Sequence, residues 1–282
     1  MNRRHFLRTA ALCAGTATMG VPDGASPSHA AKIKTVGLIL SGGLHQEMQR
    51  DYAGTLKKLA AMGYKELEFS GTYGQPAGEL RKRLDDLGLR NVAGGTAMSQ
   101  LDKGLGGMIE EAHQLGRKYV VCYWPWTDSG ENKTLDDFRR TAARFNELGE
   151  KCRQAGLRFA FHNHDKEFKP TEGQVPYHIF LRETDPALVT MELDLYWITK
   201  GGQQPLDFFR QYPGRFALWH VKDMDQTPEP GMTTVGQGVI DFPALFAQAR
   251  QAGMKHFFVE HDNPPDAMQF AQDSYRYLKT LR

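Results

Sequence analysis

Cysteine is scarce in this chain. Three occur in 282 residues, at Cys13, Cys122 and Cys152. Cys13 belongs to an N-terminal segment set apart below, so at most one disulfide remains and no disulfide scaffold holds the fold. Cys122 falls in an expected strand and Cys152 in the helix after it, and both read as small buried hydrophobes. An excess of one charge is missing too: 35 basic against 33 acidic residues give a formal net charge of +2. No block of Lys and Arg tracks a phosphate backbone, which argues against a nucleic-acid partner. A glycine-rich dinucleotide turn is also lacking, since Ser41-Gly42-Gly43 after the first expected strand is too weak a match. Internal repeats are absent, as are low-complexity tracts outside the N-terminal segment.

Residues 1–30 read as an export signal. Met1 to Arg8 is basic, Thr9 to Val21 is mildly apolar, and Ser28-His29-Ala30 offers a small-residue cleavage site before Ala31. The apolar run is too short to span a bilayer, so no stable membrane anchor is expected. Arg3-Arg4 followed by His-Phe-Leu resembles the twin-arginine signal. That resemblance implies export of an already folded protein to the periplasm or beyond.

From residue 31 to 282, short β-rich runs alternate with longer helical patterns, the mark of βα units and a parallel sheet. Expected strands are Thr35–Leu40, Tyr64–Phe69, Asn91–Ala93, Tyr119–Tyr123, the run from Arg158, Val189–Leu195, Phe216–Val221 and His256–Glu260. Helices are expected over Tyr52–Met62, Glu79–Leu87, Met108–Leu115, Leu135–Ala155, Tyr177–Glu183, Pro205–Tyr212, Phe242–Ala252 and Asp266–Leu281. About eight strand–helix units in roughly 250 residues is the usual size of a single-domain (β/α)8 barrel. An open doubly wound sheet fits the alternation as well. Asp223 to Gly238 reads as a long loop.

What is present lies at the strand ends. Alternate strand residues share a face, so Ala160, His162 and His164 point one way and Phe159 and Phe161 the other. The same rule groups Glu192 with Asp194, Leu218 with His220 and Lys222, and Phe258 with Glu260 and Asp262. Trp219 then faces the helix layer as packing. One candidate metal ligand per consecutive strand results: His162, Asp194, His220 and Glu260. Such carboxylate oxygens and imidazole nitrogens suit Mn²⁺ foremost, with Co²⁺, Zn²⁺ or Fe²⁺ also fitting. Without a cation, several charges would be buried at one barrel mouth. His164, Glu167, Glu192 and Lys222 are open between fixing those ligands and moving protons; His164 and Lys222 join Glu260 as catalytic candidates. Trp124, Tyr196 and Trp197 offer flat faces for the C–H side of a sugar. The first four strand ends, near Leu40, Phe69, Gly94 and Tyr123, read as poor in ligands.

Phe161-His162-Asn163-His164, Met191-Glu192-Leu193-Asp194, His220-Val221-Lys222-Asp223 and Val259-Glu260 make the chain resemble the xylose isomerase-like TIM barrels. That family includes sugar phosphate isomerases/epimerases, inosose dehydratase and ketose 3-epimerases. The resemblance covers Ile33 to Leu281 and implies a divalent ion held at the ends of strands five to eight, where this chain has His162, Asp194, His220 and Glu260. His162 departs from the family's glutamate and is closer to a secreted His-Asn-His branch. The implied activity is isomerisation, epimerisation, or elimination or hydration through an enediolate on a keto-sugar, and the export signal with the lack of a phosphate-binding Gly-rich turn points to a non-phosphorylated one. A non-catalytic sugar-binding barrel and an endonuclease IV-like phosphodiesterase are the rivals, and a homo-oligomer stays open.

Overall fold

Why the strand–helix alternation closes into a ring is visible in how its strands pair. The computed structural model describes residues 33, 35–127 and 133–281; the export segment expected over residues 1–30 lies outside them. Among the described residues the strands are β1 Gly37–Ile39, β2 Glu66–Glu68, β3 Arg90–Ala97, β4 Tyr119–Trp124 and β5 Arg158–His162. They continue with β6 Val189–Asp194, β7 Leu218–Val221, β8 Asp223–Met224, β9 Met232–Thr233 and β10 His256–Val259. All but β8 and β9 form one closed barrel in the order β1-β10-β7-β6-β5-β4-β3-β2. Neighbours run parallel, and β1 pairs with both β2 and β10. That closure makes the fold a (β/α)8 barrel and rules out the open doubly wound sheet.

Alternation sorts the side chains into two layers. Ile39, Val121, Ala160, Leu218 and Phe258 meet inside the barrel, whereas Phe159, Phe161 and Trp219 join the core between sheet and helices. Trp219 lies flat on Phe209 with ring centroids 4.9 Å apart. Phe159 and Phe161 both contact the ring of Phe145, which sits on the helix Leu135–Gln154. This helix shows why the outer layer forms. Phe138, Ala142, Phe145, Leu148 and Cys152 recur at steps of three and four and are buried, and Thr134 with Asp137 closes a capping box at its start. Cys122 and Cys152 are both buried free thiols. Among the described residues, no helix is long and apolar enough to cross a membrane.

Several boundaries differ from the sequence reading, each for a local reason. The Gly94-Gly95 pair does not end its strand, because β3 runs on to Ala97. A Cβ at Gly95 would lie 1.7 Å from the carbonyl oxygen of Val121, so glycine is needed for β3 and β4 to approach. The helix expected from Met108 starts at Met98 and kinks at Gly104. The helices Gly42–Arg50 and Leu195–Lys200 were not expected; each is short, the second following β6 directly and the first starting just after β1. The Asp223–Gly238 stretch contains the small antiparallel β8–β9 hairpin. It is organised by the buried Asp223 carboxylate, which accepts from the backbone N–H groups of Met224, Gly236, Gly238 and Ile240.

The two kinds of glycine separate in one experiment. Gly95→Ala should destabilise the barrel by ~1–3 kcal/mol or more, since the backbone must shift. Gly107→Ala has nothing within 4 Å of the added Cβ and should be neutral or stabilising by up to ~1 kcal/mol. Denaturant melts of both variants check the contrast.

Candidate metal centre at the barrel mouth

The inward register brings the strand-end residues to one place. His162 closes β5 opposite Glu192 of β6, and Asp194 closes β6 opposite His220 of β7. Glu260 follows β10 directly, and Lys222 follows β7. His162, Glu192, Asp194, His220, Lys222 and Glu260 are all buried. His220 is the hub. Its Nδ1 lies 2.7 Å from Glu260 Oε2, while its Nε2 lies 3.4 Å from Glu192 Oε2. His162 Nδ1 is 3.5 Å from that same Glu192 oxygen.

The four expected ligands do not converge on one point. Donor atoms of Asp194, His220 and Glu260 lie within 4.8 Å of one another, and so do those of His162, Glu192 and His220. His162 therefore groups with Glu192 rather than with Asp194 and Glu260. The Lys222 ammonium lies on the other side, 2.9 Å from Glu260 Oε2, 3.3 Å from Asp194 Oδ2 and 2.6 Å from Asp262 Oδ1.

One member of the cluster was missed in the sequence. The early strand ends are not all poor in ligands, because β2 delivers the fully buried Glu68. Its Oε2 lies 3.1 Å from His220 Nε2, and its Oε1 accepts from the Tyr123 hydroxyl at 2.6 Å. The signal was the alternation Glu66-Leu67-Glu68: Leu67 packs in the outer core, so Glu68 must face inward.

Backbone clips hold the strand ends in place. Asn163 Oδ1 accepts from Asp194 N at 3.0 Å. Asp194 Oδ1 in turn accepts from Trp197 N at 2.8 Å, which caps the next helix and leaves Oδ2 toward Lys222. Glu167 Oε2 accepts from His164 N at 2.7 Å, so this residue shapes the loop after β5. The His164 ring stands among aromatic neighbours, 5.3 Å from Trp124 and 5.5 Å from Trp197 by centroids. Trp197 also lies under the Lys222 ammonium. Tyr196 is buried and engaged elsewhere, donating to Pro230 O and accepting from Lys200.

The electrostatics follow from crowding. Burial and then the neighbouring Glu68 push Glu192 up to about 8. Burial also pushes Asp194 up to about 6, against the pull of Lys222. For His220, burial opposes charge, but Glu192, Glu260 and Glu68 outweigh it and hold the ring well above its usual range. Burial likewise opposes charge on Glu260, and there Lys222 and His220 prevail and hold it well below the carboxylate range. Burial depresses His162 far below its ordinary value and His164 to about 4. Among the described residues, His162 Nδ1, both Glu192 oxygens and Asp194 Oδ2 are buried without a hydrogen-bond partner. Orphaned nitrogen and oxygen donors beside surplus carboxylates fit a divalent cation.

Comparisons with known proteins agree with this architecture. The profile of the xylose isomerase-like TIM barrel matches residues 56–281. Inosose dehydratase of Lacticaseibacillus casei is 25% identical over 171 residues, 54% of this chain and 57% of that enzyme. The matched stretch thus spans little more than half of that curated relative. The crystal structure of a sugar phosphate isomerase/epimerase from Parabacteroides distasonis aligns with a TM-score of 0.73 at 26% identity, over 93% of this chain and 97% of that one. The IolI protein, solved with a zinc atom, aligns at a TM-score of 0.67 over 88% and 96% of the two chains. At 16% identity, that second likeness is one of fold.

The crowded carboxylates make the metal-free protein sensitive to pH in a defined direction. Native Glu192 keeps its proton up to about 8, whereas an unfolded glutamate loses it near ~4.3. Between those values the native state binds more protons, so stability falls as pH rises. The raised His220 acts in the same direction, losing its contribution as pH climbs through its native pKa. The melting temperature of chelator-treated protein should therefore be lower at pH 8 than at pH 6.5, above the range in which the depressed His162 and His164 act in the opposite direction. Glu192→Gln should flatten that slope. An unchanged slope would contradict the charge assignment.

Proposed function

The chain belongs to the xylose isomerase-like TIM barrel family, and from that premise we propose that it is an exported, divalent-metal-dependent enzyme that moves a proton beside the carbonyl of a keto-sugar. The observation that carries this reading is the cluster itself. Glu68, Glu192, Asp194 and Glu260 share one buried mouth with His162, His220 and Lys222, and three of these side chains keep orphaned donors. The inosose dehydratase and sugar phosphate isomerase/epimerase relatives support sugar chemistry. The zinc bound to the IolI neighbour supports a metal.

Asp194, His220 and Glu260 are the residues that would hold the ion, with His162, Glu192 and Glu68 beside them. Mn²⁺ is the first choice for this mixed oxygen and nitrogen set, with Co²⁺, Zn²⁺ and Fe²⁺ also suited. Once bound, it supplies Lewis acidity that makes a C–H bond next to a carbonyl easier to ionise. The protein's own groups do the rest. Glu260 is an ionised carboxylate whose Oε1 accepts from the Ser41 hydroxyl at 3.4 Å; it is the leading base. His164 is half-buried, held neutral, and its Nδ1 lacks a hydrogen-bond partner, so it can accept or return a proton. Lys222 presents a fixed positive charge beside them. Trp124 and Trp197 line the approach to His164 and suit the C–H face of a sugar.

Proton return to carbon gives isomerisation or epimerisation, and departure of a β-leaving group gives elimination. Export, read from Arg3-Arg4 and Ser28-His29-Ala30, favours a non-phosphorylated substrate.

A screen of keto-sugars in deuterated water with Mn²⁺, read by NMR, tests the reading through label uptake and new double bonds. No exchange with any keto-sugar would leave a sugar-binding barrel instead. Glu260→Gln nearly preserves volume and should lower turnover by ~10²–10⁴-fold, more than it weakens substrate binding. A metal-replete Glu260→Gln enzyme exchanging the α-proton at the wild-type rate would sink the mechanism. For export, replacing Arg3 and Arg4 by Lys should hold the protein in the cytoplasm. N-terminal sequencing of the exported form should begin near Ala31; an intact Met1 there would refute processing.

A further inference from the structure

Each residue that would hold the ion has a support of its own. Asp194 Oδ1 accepts from Trp197 N at 2.8 Å, and Glu260 Oε1 accepts from the Ser41 hydroxyl at 3.4 Å. His220 draws its support from the far side of the barrel. Its Nδ1 lies 2.7 Å from Glu260 Oε2, on the edge of the ring that meets the Asp194 and Glu260 group. Its Nε2, on the other edge, is hydrogen-bonded to Glu68 Oε2 at 3.1 Å. Glu192 Oε2 is also near Nε2, at 3.4 Å, yet neither Glu192 oxygen has a hydrogen-bond partner. Glu68 is held in turn, because the Tyr123 hydroxyl donates to its Oε1 at 2.6 Å. Glu68 and His220 are both buried, and the proton transfer proposed above makes no use of Glu68.

Resting on the metal dependence proposed above, we infer that Glu68, steadied by Tyr123, is a positioning residue for His220: it accepts the Nε2 hydrogen and so presents the Nδ1 lone pair to the ion beside Asp194 and Glu260. A neutral imidazole has one donor nitrogen and one acceptor nitrogen. Fixing the donor therefore fixes the atom that can bind a metal, and a carboxylate on the donor side also strengthens the ligand. The choice matters at this ring. Glu260 Oε2 lies 2.7 Å from Nδ1 and would compete for the imidazole hydrogen, which would leave the lone pair on the wrong edge. Glu68 opposes that outcome from across the barrel. Tyr123 makes the arrangement one-way, since a phenol donating to Oε1 leaves Oε2 to accept from His220. The three residues come from β4, β2 and β7. Tyr123 reaches Glu68 past β3, where Ala93-Gly94-Gly95 carry at most a methyl group.

Side-chain nitrogen NMR of the full chain loaded with Zn²⁺ tests this without reference to turnover. In the wild type, His220 should be metal-bound at Nδ1 and protonated at Nε2; metal at Nε2 would overturn the inference. Co²⁺ titrations then read affinity and the visible spectrum in variants. Glu68→Ala should weaken binding by ~10–100-fold while the spectrum keeps the wild-type ligand set. Glu68→Gln still offers an oxygen to Nε2 and should bind more tightly than Glu68→Ala. Tyr123→Phe should lose up to ~10-fold. Combined with Glu68→Ala it should add no further loss, because Tyr123 acts through Glu68. A Glu68→Ala protein that melts lower but binds Co²⁺ as the wild type does would reduce Glu68 to a part of the fold and overturn the inference. A loss well beyond ~100-fold with a changed spectrum would make Glu68 a ligand and overturn it too. Should Glu68→Ala fail to fold by circular dichroism, Tyr123→Phe and the wild-type NMR still decide. A wild-type protein that takes up neither Co²⁺, Mn²⁺ nor Zn²⁺ would refute the metal-dependent reading itself.

Discussion

Four buried carboxylates facing one imidazole are the constraint around which this barrel mouth is arranged. Glu68, Glu192, Asp194 and Glu260 are all excluded from water, and like charges at that spacing and burial are unfavourable unless something positive intervenes. His220 reaches Glu68, Glu192 and Glu260 from a single ring. Lys222 reaches Asp194, Glu260 and Asp262 from a single ammonium. Both lie on the same face of one segment, two residues apart, because alternation along β7 and its extension points them the same way. The sequence His220-Val221-Lys222 is therefore a pair of counter-charges delivered by one backbone. Val221 between them, buried in the outer core, fixes the register.

Such a cluster can persist only because the rest of the barrel does not depend on it. The outer layer is held by aromatic packing, with Phe145 in ring contact with Phe159, Phe161 and Phe180, Phe161 also meeting Phe180, and Trp219 stacked on Phe209. The interior below the mouth is apolar, built from Ile39, Val121, Ala160, Leu218 and Phe258. The strand ends above are fastened by backbone N–H groups that donate to the side-chain oxygens of Asn163, Asp194, Glu167 and Asp223. Core and mouth thus divide the work by depth: burial of apolar surface holds the barrel together, and charge placed at the strand ends is available for chemistry.

Much of this was legible in the sequence because period-two alternation is a strong signal when one face is aromatic. Phe159-Ala160-Phe161-His162 and Trp219-His220-Val221 state which side chains face inward, and the structure follows them. Boundaries were harder. Gly94-Gly95 looks like a break, and only the 1.7 Å approach of the Val121 carbonyl explains why the glycines sit inside a strand. Glu68 was overlooked because a lone carboxylate at the end of a three-residue strand has no local partner. Its partners, Tyr123 and His220, come from β4 and β7. The grouping of His162 with Glu192, rather than with Asp194 and Glu260, was likewise beyond sequence reasoning. Which neighbour an imidazole turns toward depends on side-chain rotation, and alternation fixes only the face.

The position of Lys222 bears on how the proposed chemistry separates its tasks. An ammonium held by Asp262 at 2.6 Å and lying over the Trp197 ring is anchored from the half-exposed side of the mouth and points its remaining donors inward. Glu260 meets it with one oxygen and His220 with the same one, so both positive groups act on Oε2 and leave Oε1 to the Ser41 hydroxyl. A base needs one oxygen that is fixed and one that is available, and this carboxylate has that asymmetry. Across the opening, His164 is fixed through its backbone by Glu167 while its ring lies between Trp124 and Trp197. The two candidate proton carriers are thus steadied by different means, a charge pair for Glu260 and a part-buried backbone hydrogen bond to Glu167 for His164. Substitutions at Lys222 and at Glu167 consequently disturb different ends of the same proposed proton transfer.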